Sequence, residues 1–345
     1  MSKLFGLCAA LVFLLAAGVA QAQAPAGDPI LKQREQAERQ PGNNAPVWGQ
    51  VRKEAAEYYT SIPGRETNVL VQSAGQTWRQ IRNGPVTFYG GWLVVIIGLL
   101  IAAYYFAKGP IKPHDKPTGR MVHRFSTAEQ VVHWCMGISF VVLGLSGLVM
   151  LFGKYVLLPI IGYTLFGWLS ALAKNLHNFV GPFFIVATIV FVVMFVRDNL
   201  LKAYDFSWFA KAWAMYARGE HTPSGRFNAG EKGWFWICVV VLSVIVSYTG
   251  VILLFPNFDQ TRATMQEAWV WHASASLIYI AVSLGHIYMG TIGVEGAYQA
   301  MRSGSVDESW AKEHHELWYN EVKSGKAAAS GGAVPAGAPR IREKS

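Results

Sequence analysis

Four histidines set in apolar runs carry the chemistry that this sequence can be expected to perform. His272 and His286 lie in Ala268–Val294, AWVWHASASLIYIAVSLGHIYMGTIGV, which has no Asp, Glu, Lys or Arg between Trp269 and Val294. Fourteen residues separate them. On an α-helix that is ~21 Å of rise and roughly 40° short of four full turns. Both imidazoles therefore leave one face of one helix, one near each edge of a ~30 Å hydrocarbon core. Ionisable groups at such depths are expensive and mark function. His133 and His177 stand near the starts of two further apolar runs. Two neutral imidazoles on opposite faces of one iron are the axial ligands of a low-spin b haem, and two stacked histidines on one helix point to two haems, one above the other. The three cysteines, Cys8, Cys135 and Cys238, form no CxxC pair. That leaves no motif for zinc, an iron–sulfur cluster or covalently attached haem, and the cysteines read as small buried hydrophobes.

The elements that must position these side chains are membrane spans. The chain has 345 residues, 52% apolar and 15% charged, with 13 Trp and 19 Phe, the profile of an all-α polytopic membrane protein with aqueous ends. Met1 to Ala24 reads as a secretory signal, with Lys3, an apolar core and an Ala20-Gln21-Ala22 cleavage site; retention as an anchor is the alternative. Residues 25–87 form a polar segment, expected outside the cytoplasm, either a docking arm or a leader into the first span. Spans are expected at Phe88 to Ala107, Gln130 to Phe152, His177 to Val196, Trp234 to Phe255 and the helix of His272 and His286. Gly153 to Leu176 reads as a loop. A tail helix is expected over residues 298–325, then a disordered Ala/Gly/Ser/Pro stretch to residue 345. The first of the five spans stands apart from a four-helix bundle over residues 120–297.

Charge orients this bundle. The segments after spans one, three and five are rich in Lys and Arg, and those after spans two and four are poor. The positive-inside rule places the rich ones in the cytoplasm and the mature N-terminus outside, as a cleaved signal requires. No basic tract with interleaved aromatics points to nucleic acid. On this topology His133 and His286 share the inner level, and His177 and His272 the outer. Each histidine alone reads as well as a packed core residue; the depth-matched set reads as two haem sites. Gly137, Gly144, Gly147, Gly181, Ala273, Ser274 and Ser276 are small enough for close helix approach or for a flat porphyrin. Arg124, Arg197 and Lys174 are candidate propionate partners. His114, His123, His221, His314 and His315 read as surface or partner-facing groups.

The segments WHASASLIYIAVSLGHIYMG, NLHNFVGPFF, VVHW, GRFNAGEKGWFW and WAKEHHELWYNE, spread over about Arg120 to Lys323, together resemble the membrane cytochrome b (gamma) subunit of respiratory formate dehydrogenases. The HW motif is shared with other di-haem cytochromes b, including hydrogenase membrane subunits; the NAGEK segment with the HHxxWY tail is more specific. The resemblance implies haem ligation by His133 with His286 on the inner side and by His177 with His272 on the outer side. It also implies a quinone site at Asn228, Ala229 and Gly230 beside His286. Where a family member has Gln, this chain has Glu231, which either carries a proton or is a solvated charge. The signal, the polar segment and the first span are additions to the family core.

These expectations combine into an electron-transfer subunit of the bacterial inner membrane, multi-pass and embedded in lipid. Electrons would arrive from an iron–sulfur beta subunit, cross two haems b and reduce a quinone near the cytoplasmic face. The formate chemistry would belong to a molybdenum- or tungsten-containing partner, because no such motif occurs here. The alternatives are the same bundle serving a hydrogenase, and a haem-free transporter or anchor with histidines as proton relays.

Overall fold

A computed structural model describes residues 75–218, 222–258, 260–325 and 342–343. The expected signal, most of the polar segment, His221 and the low-complexity stretch lie outside the described residues. Helix α1 (Gly75–Ile81) runs through a wide π turn (Arg82–Val86) into α2 (Thr87–Lys108). The first span therefore begins thirteen residues before Phe88. Pro85 sits in the wide turn, where its missing N–H and bulky ring displace the regular bonding. Strand β1 (Arg120–His123) precedes α3 (Thr127–Val156). Ser126 and Glu129 start α3 with a reciprocal capping box, which satisfies two orphan N–H groups at the helix entrance.

Helix α4 (Leu158–Phe195) follows after the single residue Leu157. The stretch expected as a loop, Gly153 to Leu176, is thus almost wholly helical, and His177 lies nineteen residues into α4 rather than at its start. The misleading turn residues have local explanations. Pro159 occupies the first helical turn, where no intrahelical N–H bond is lost. Gly162 takes φ +74° and bends the chain once before the long run begins. Antiparallel α3 and α4 form the longest packed pair.

On the far side of the bundle, α5 (Ala203–Arg218) leads to α6 (Ala229–Trp234). A π stretch (Phe235–Leu242) continues it into α7 (Ser243–Leu254), and then comes α8 (Arg262–Tyr288), extended by a π turn (Met289–Gly293). Among the described residues, five helices are long and apolar enough to cross a membrane. The expected single tail helix is instead α9 (Ala297–Ser303), β2 (Ser305–Asp307), α10 (Glu308–His314) and α11 (Glu316–Lys323), with β3 (Arg342–Glu343) beyond. Gly304 (φ +75°) and His315 (φ −140°, ψ 51°) break the helix at those points. Strand order β2-β1-β3, all antiparallel, ties the approach to α3 to the tail.

The core fills the bundle between these elements. Tyr279, midway between His272 and His286, is 2% exposed. Its ring packs on Phe140 (4.5 Å between centroids) and its hydroxyl meets Ser243 Oγ at 3.1 Å. With Phe184 it forms an aromatic layer between the two histidine levels. The first span packs on the bundle through glycines: a Cβ at Gly90 would collide with Leu277 of α8, and one at Gly91 would stand 3.0 Å from Phe152 of α3.

Candidate haem sites

Helix α8 brings one histidine to each of two levels, and a different helix answers at each. At the level nearer the tail, His133 of α3 faces His286 with ring centroids 6.4 Å apart and planes at 53°. At the opposite level, His177 of α4 faces His272 at 6.0 Å and 73°. All four histidines that the sequence pairs by depth are brought together as paired.

The separations leave room for a shared metal. Two metal–imidazole bonds of ~2 Å each, continued by ~1 Å to each ring centre, span about 6 Å. Among the described residues no group of three or more His, Cys, Asp or Glu converges on a point. Each pair offers two imidazoles, the number of protein ligands an iron needs once a porphyrin fills its equator.

Hydrogen bonds set the tautomers at the far level. Ser146 Oγ donates to the Leu143 carbonyl (3.1 Å), so its oxygen accepts from His177 Nδ1 (2.9 Å). The Val246 carbonyl, 3.0 Å from His272 Nδ1, can only accept, and Thr249 Oγ1 lies 3.1 Å away. Both rings therefore carry the proton on Nδ1 and keep the Nε2 lone pair for a metal. The tail-side level is built differently. His286 stacks on Trp234 at 4.5 Å with planes 1° apart. His133 Nδ1 is buried with no hydrogen-bond partner.

Space for a flat macrocycle follows the histidines along their helices. Gly137, Gly181 and Gly290 stand four residues after His133, His177 and His286, one turn away on the same face. At each of the three, an added Cβ would meet nothing within 4 Å. Gly147 and Gly250 do the opposite: a Cβ there would stand 3.5 Å from the His177 ring and 3.3 Å from the His272 ring. Ring spacing, tautomers and open glycine faces fit a haem at each level. Ser146, Val246, Thr249, Trp234, Gly250 and Gly290 were not singled out by the sequence. The histidine-plus-four glycine spacing was the readable sign.

A family model described as prokaryotic cytochrome b561 matches residues 124–304, a little over half of the chain. The chain belongs to the prokaryotic cytochrome b561 family. This cytochrome is similar to the cytochrome b556(fdo) subunit of formate dehydrogenase from Escherichia coli strain K12, with 32% identity over 206 residues, 58% of this chain and 92% of that protein. The nitrate-inducible cytochrome b556(Fdn) subunit of the same strain is 31% identical over 212 residues, 60% and 94% of the two chains. The formate dehydrogenase cytochrome b556 subunit of Haemophilus influenzae is 26% identical over 202 residues, 57% and 82%. Family membership makes the protein a multi-pass membrane cytochrome with haem b as its cofactor. The first span, ending at Lys108, falls outside the matched region.

The polar segment at the tail end has a structural logic of its own. Asn228 caps α6 by accepting from the Glu231 N–H (2.9 Å), while the Asn228 N–H donates to Glu231 Oε2 (2.8 Å). Gly230 leaves room for Trp208, whose ring would lie 2.9 Å from a Cβ there. Glu231 also accepts from Arg124 Nη2 at 3.2 Å. Arg124 is buried and so committed to this carboxylate and to the Arg226 carbonyl (2.7 Å). Arg226 in turn reaches Asp198 (2.5 Å) and Glu129 (2.7 Å). Burial lowers the Arg124 pKa, and Glu231 works against that loss.

One further expectation is corrected here. His315 is not a surface group: it is 1% exposed, and its Nδ1 donates to the Gly225 carbonyl at 2.8 Å. Burial, then the nearby Arg124 charge, hold its pKa well below 6.5. His314 stacks on Trp310 at 4.7 Å, and His114 pairs with Glu313 at 3.0 Å.

Proposed function

We propose that this cytochrome is the membrane subunit of a formate dehydrogenase and carries electrons through two haems b to a quinone. The observation that supports this best is the double pairing: two imidazole couples, 6.0 and 6.4 Å between rings, sharing one helix. His177 and His272 hold the haem at the level away from the tail, and His133 and His286 hold the other. Haem b supplies reversible one-electron chemistry when bound. Ser146 and the Val246 carbonyl keep the far pair in one tautomer and orientation. Trp234 keeps the His286 ring in plane. The aromatic layer of Tyr279, Phe140 and Phe184 excludes water between the levels and fixes their separation.

The finer points extend this reading. The tail lies in the cytoplasm and residues 25–87 in the periplasm of a bacterial inner membrane. An iron–sulfur subunit docks at the far end and connects to a molybdenum- or tungsten-containing formate-oxidising subunit. The quinone binds at the tail end beside Asn228, Gly230 and Glu231. There Asn228 shapes the turn, Gly230 admits Trp208 and Glu231 presents a half-exposed carboxylate.

The test is a haem count on the purified complex, together with formate-dependent quinone reduction. Two b haems per chain are expected, and replacing His272 and His286 together by Ala abolishes both. A single haem in the native protein would overturn the double site. A nickel–iron partner subunit in place of a formate-oxidising one would reassign the complex to a hydrogenase.

A further inference from the structure

At the end of the bundle away from the tail, the first span and α3 form a half-open cavity of about 230 Å³. Arg82, Asn83 and Thr87 line it from the first span, and Lys154, Tyr155 and Met150 from the last turns of α3. The lining holds two cations and no carboxylate. Neither Arg82 nor Lys154 makes an ion pair among the described residues. Two cationic residues lining one cavity disfavour each other unless an anion joins them.

Arg82 is held in place for such a guest. Its guanidinium packs on a pair of indoles that meet edge to face at 5.8 Å, 5.4 Å from the Trp78 ring and 5.1 Å from the Trp269 ring. Cation–π contacts of this kind hold the planar fork without neutralising it. The wide turn over Arg82–Val86 is itself pinned, with Thr87 Oγ1 donating to the Arg82 carbonyl at 2.6 Å. The side chain therefore loses little entropy on binding, and guanidinium donors match a phosphate's oxygens in pairs.

We infer that this cavity binds the phosphate headgroup of an anionic phospholipid. Three features favour a lipid over a soluble metabolite. The volume falls short of the ~300–1,000 Å³ of ordinary small-molecule pockets. The cavity lies at the ends of two spans, where Arg, Lys, Trp and Tyr gather in the headgroup layer. The lining residues Met150 and Tyr155 are exposed, as are Phe88 and Tyr89 next in sequence to the lining Thr87, an apolar surface for acyl chains. The bound lipid joins the first span, which lies outside the family match, to the family bundle. Arg82 comes from one and Lys154 from the other, so the lipid bridges the junction.

The experiment uses the full-length protein in mild detergent, examined by native mass spectrometry. The probes are phosphatidylglycerol, phosphatidylcholine and inorganic phosphate, added separately. One phosphatidylglycerol should survive activation that strips phosphatidylcholine. R82Q/K154Q should lower its retention about tenfold, the effect of losing a charge-assisted bond. K154Q alone, on an exposed side chain that the fold does not need, should give a smaller loss in the same direction. Equal retention by the native protein and both variants would overturn the proposal. So would equal retention of phosphatidylcholine, which shows no preference for net negative charge. Occupancy by inorganic phosphate as tight as by phosphatidylglycerol would make this a free-phosphate site and not a lipid site.

Discussion

The two histidine levels solve one problem by different means. Away from the tail, hydrogen bonds to Ser146 and to the Val246 carbonyl set both rings. Near the tail, flat packing on Trp234 sets His286, and His133 Nδ1 has no acceptor. An imidazole that donates through Nδ1 is a more basic ligand through Nε2, and its rotation is locked. On the proposed ligation, the far pair is therefore the electronically tuned one and the tail-side pair the sterically held one.

The largest break in this comparison comes from the ligands themselves. His272→Ala should remove one of two haems and leave the tail-side spectrum intact, and His286→Ala should do the reverse. Haem extraction with a reduced spectrum checks both. Loss of both haems from either variant would show that the levels do not assemble independently.

The next effect is selective for the tail-side level. Lys232 and Asp205, each 1% exposed, pair at 2.7 Å and dock α5 on α6, the helix that carries Trp234. Lys232→Met strands the Asp205 carboxylate, whose Oδ1 already lacks a partner. Breaking a buried pair in this way costs ~3–5 kcal/mol. On heating, the tail-side haem should then leave first, and an unchanged order of release would show that α5 does not support it.

A smaller effect should fall on the other level alone. Ser146→Ala removes the His177 acceptor, and loss of such a partner weakens metal binding by ~10–100-fold. Haem dissociation into an apo-protein acceptor should quicken for one haem and not for both. Equal behaviour of the two would erase the distinction between a hydrogen-bonded and a packed pair.

The smallest effect is a pH dependence confined to the tail. His315 is buried neutral, with a folded pKa well below the usual 6.5. The unfolded tail takes up a proton near that usual value while the docked tail resists it. The His315 contribution is therefore complete above about pH 6.5 and is lost as pH falls through the interval beneath it. Hydrogen-exchange protection factors over residues 308–323, which remove the intrinsic pH dependence of amide exchange, should fall between about pH 7.5 and about pH 5.5, and less so in His315→Gln. Exchange in the bundle near His272 should not follow.

Legibility divided along the same line. Spacing on one helix, apolar length and the distribution of Lys and Arg were enough to pair His133 with His286 and His177 with His272. Helical periodicity and bilayer depth are one-dimensional facts. The extent of α4 was hidden because Pro159 and Gly162 mimic a loop, although one fits a first turn and the other only bends the chain. The partners Ser146 and Val246 were hidden because they come from other helices, and hydroxyls and backbone carbonyls have no motif. His315 was misread because a polar stretch rich in Glu and Lys gives no hint that Gly225 supplies a buried acceptor. Asn228 and Glu231 were noticed for a ligand, yet their nearest duty is to start α6.

Helix α8 supplies a histidine to each couple with no proline between them. It works as a rigid spacer whose length is written in peptide units. A rotation or slide of this one rod would disturb both couples at once, so separate adjustment must come from α3 and α4. Changes in bilayer thickness that tilt the whole bundle would leave the gap between the two levels unaltered. Inserting or deleting one residue between His272 and His286 would swing one imidazole by ~100° around the axis and disable that level while sparing the other.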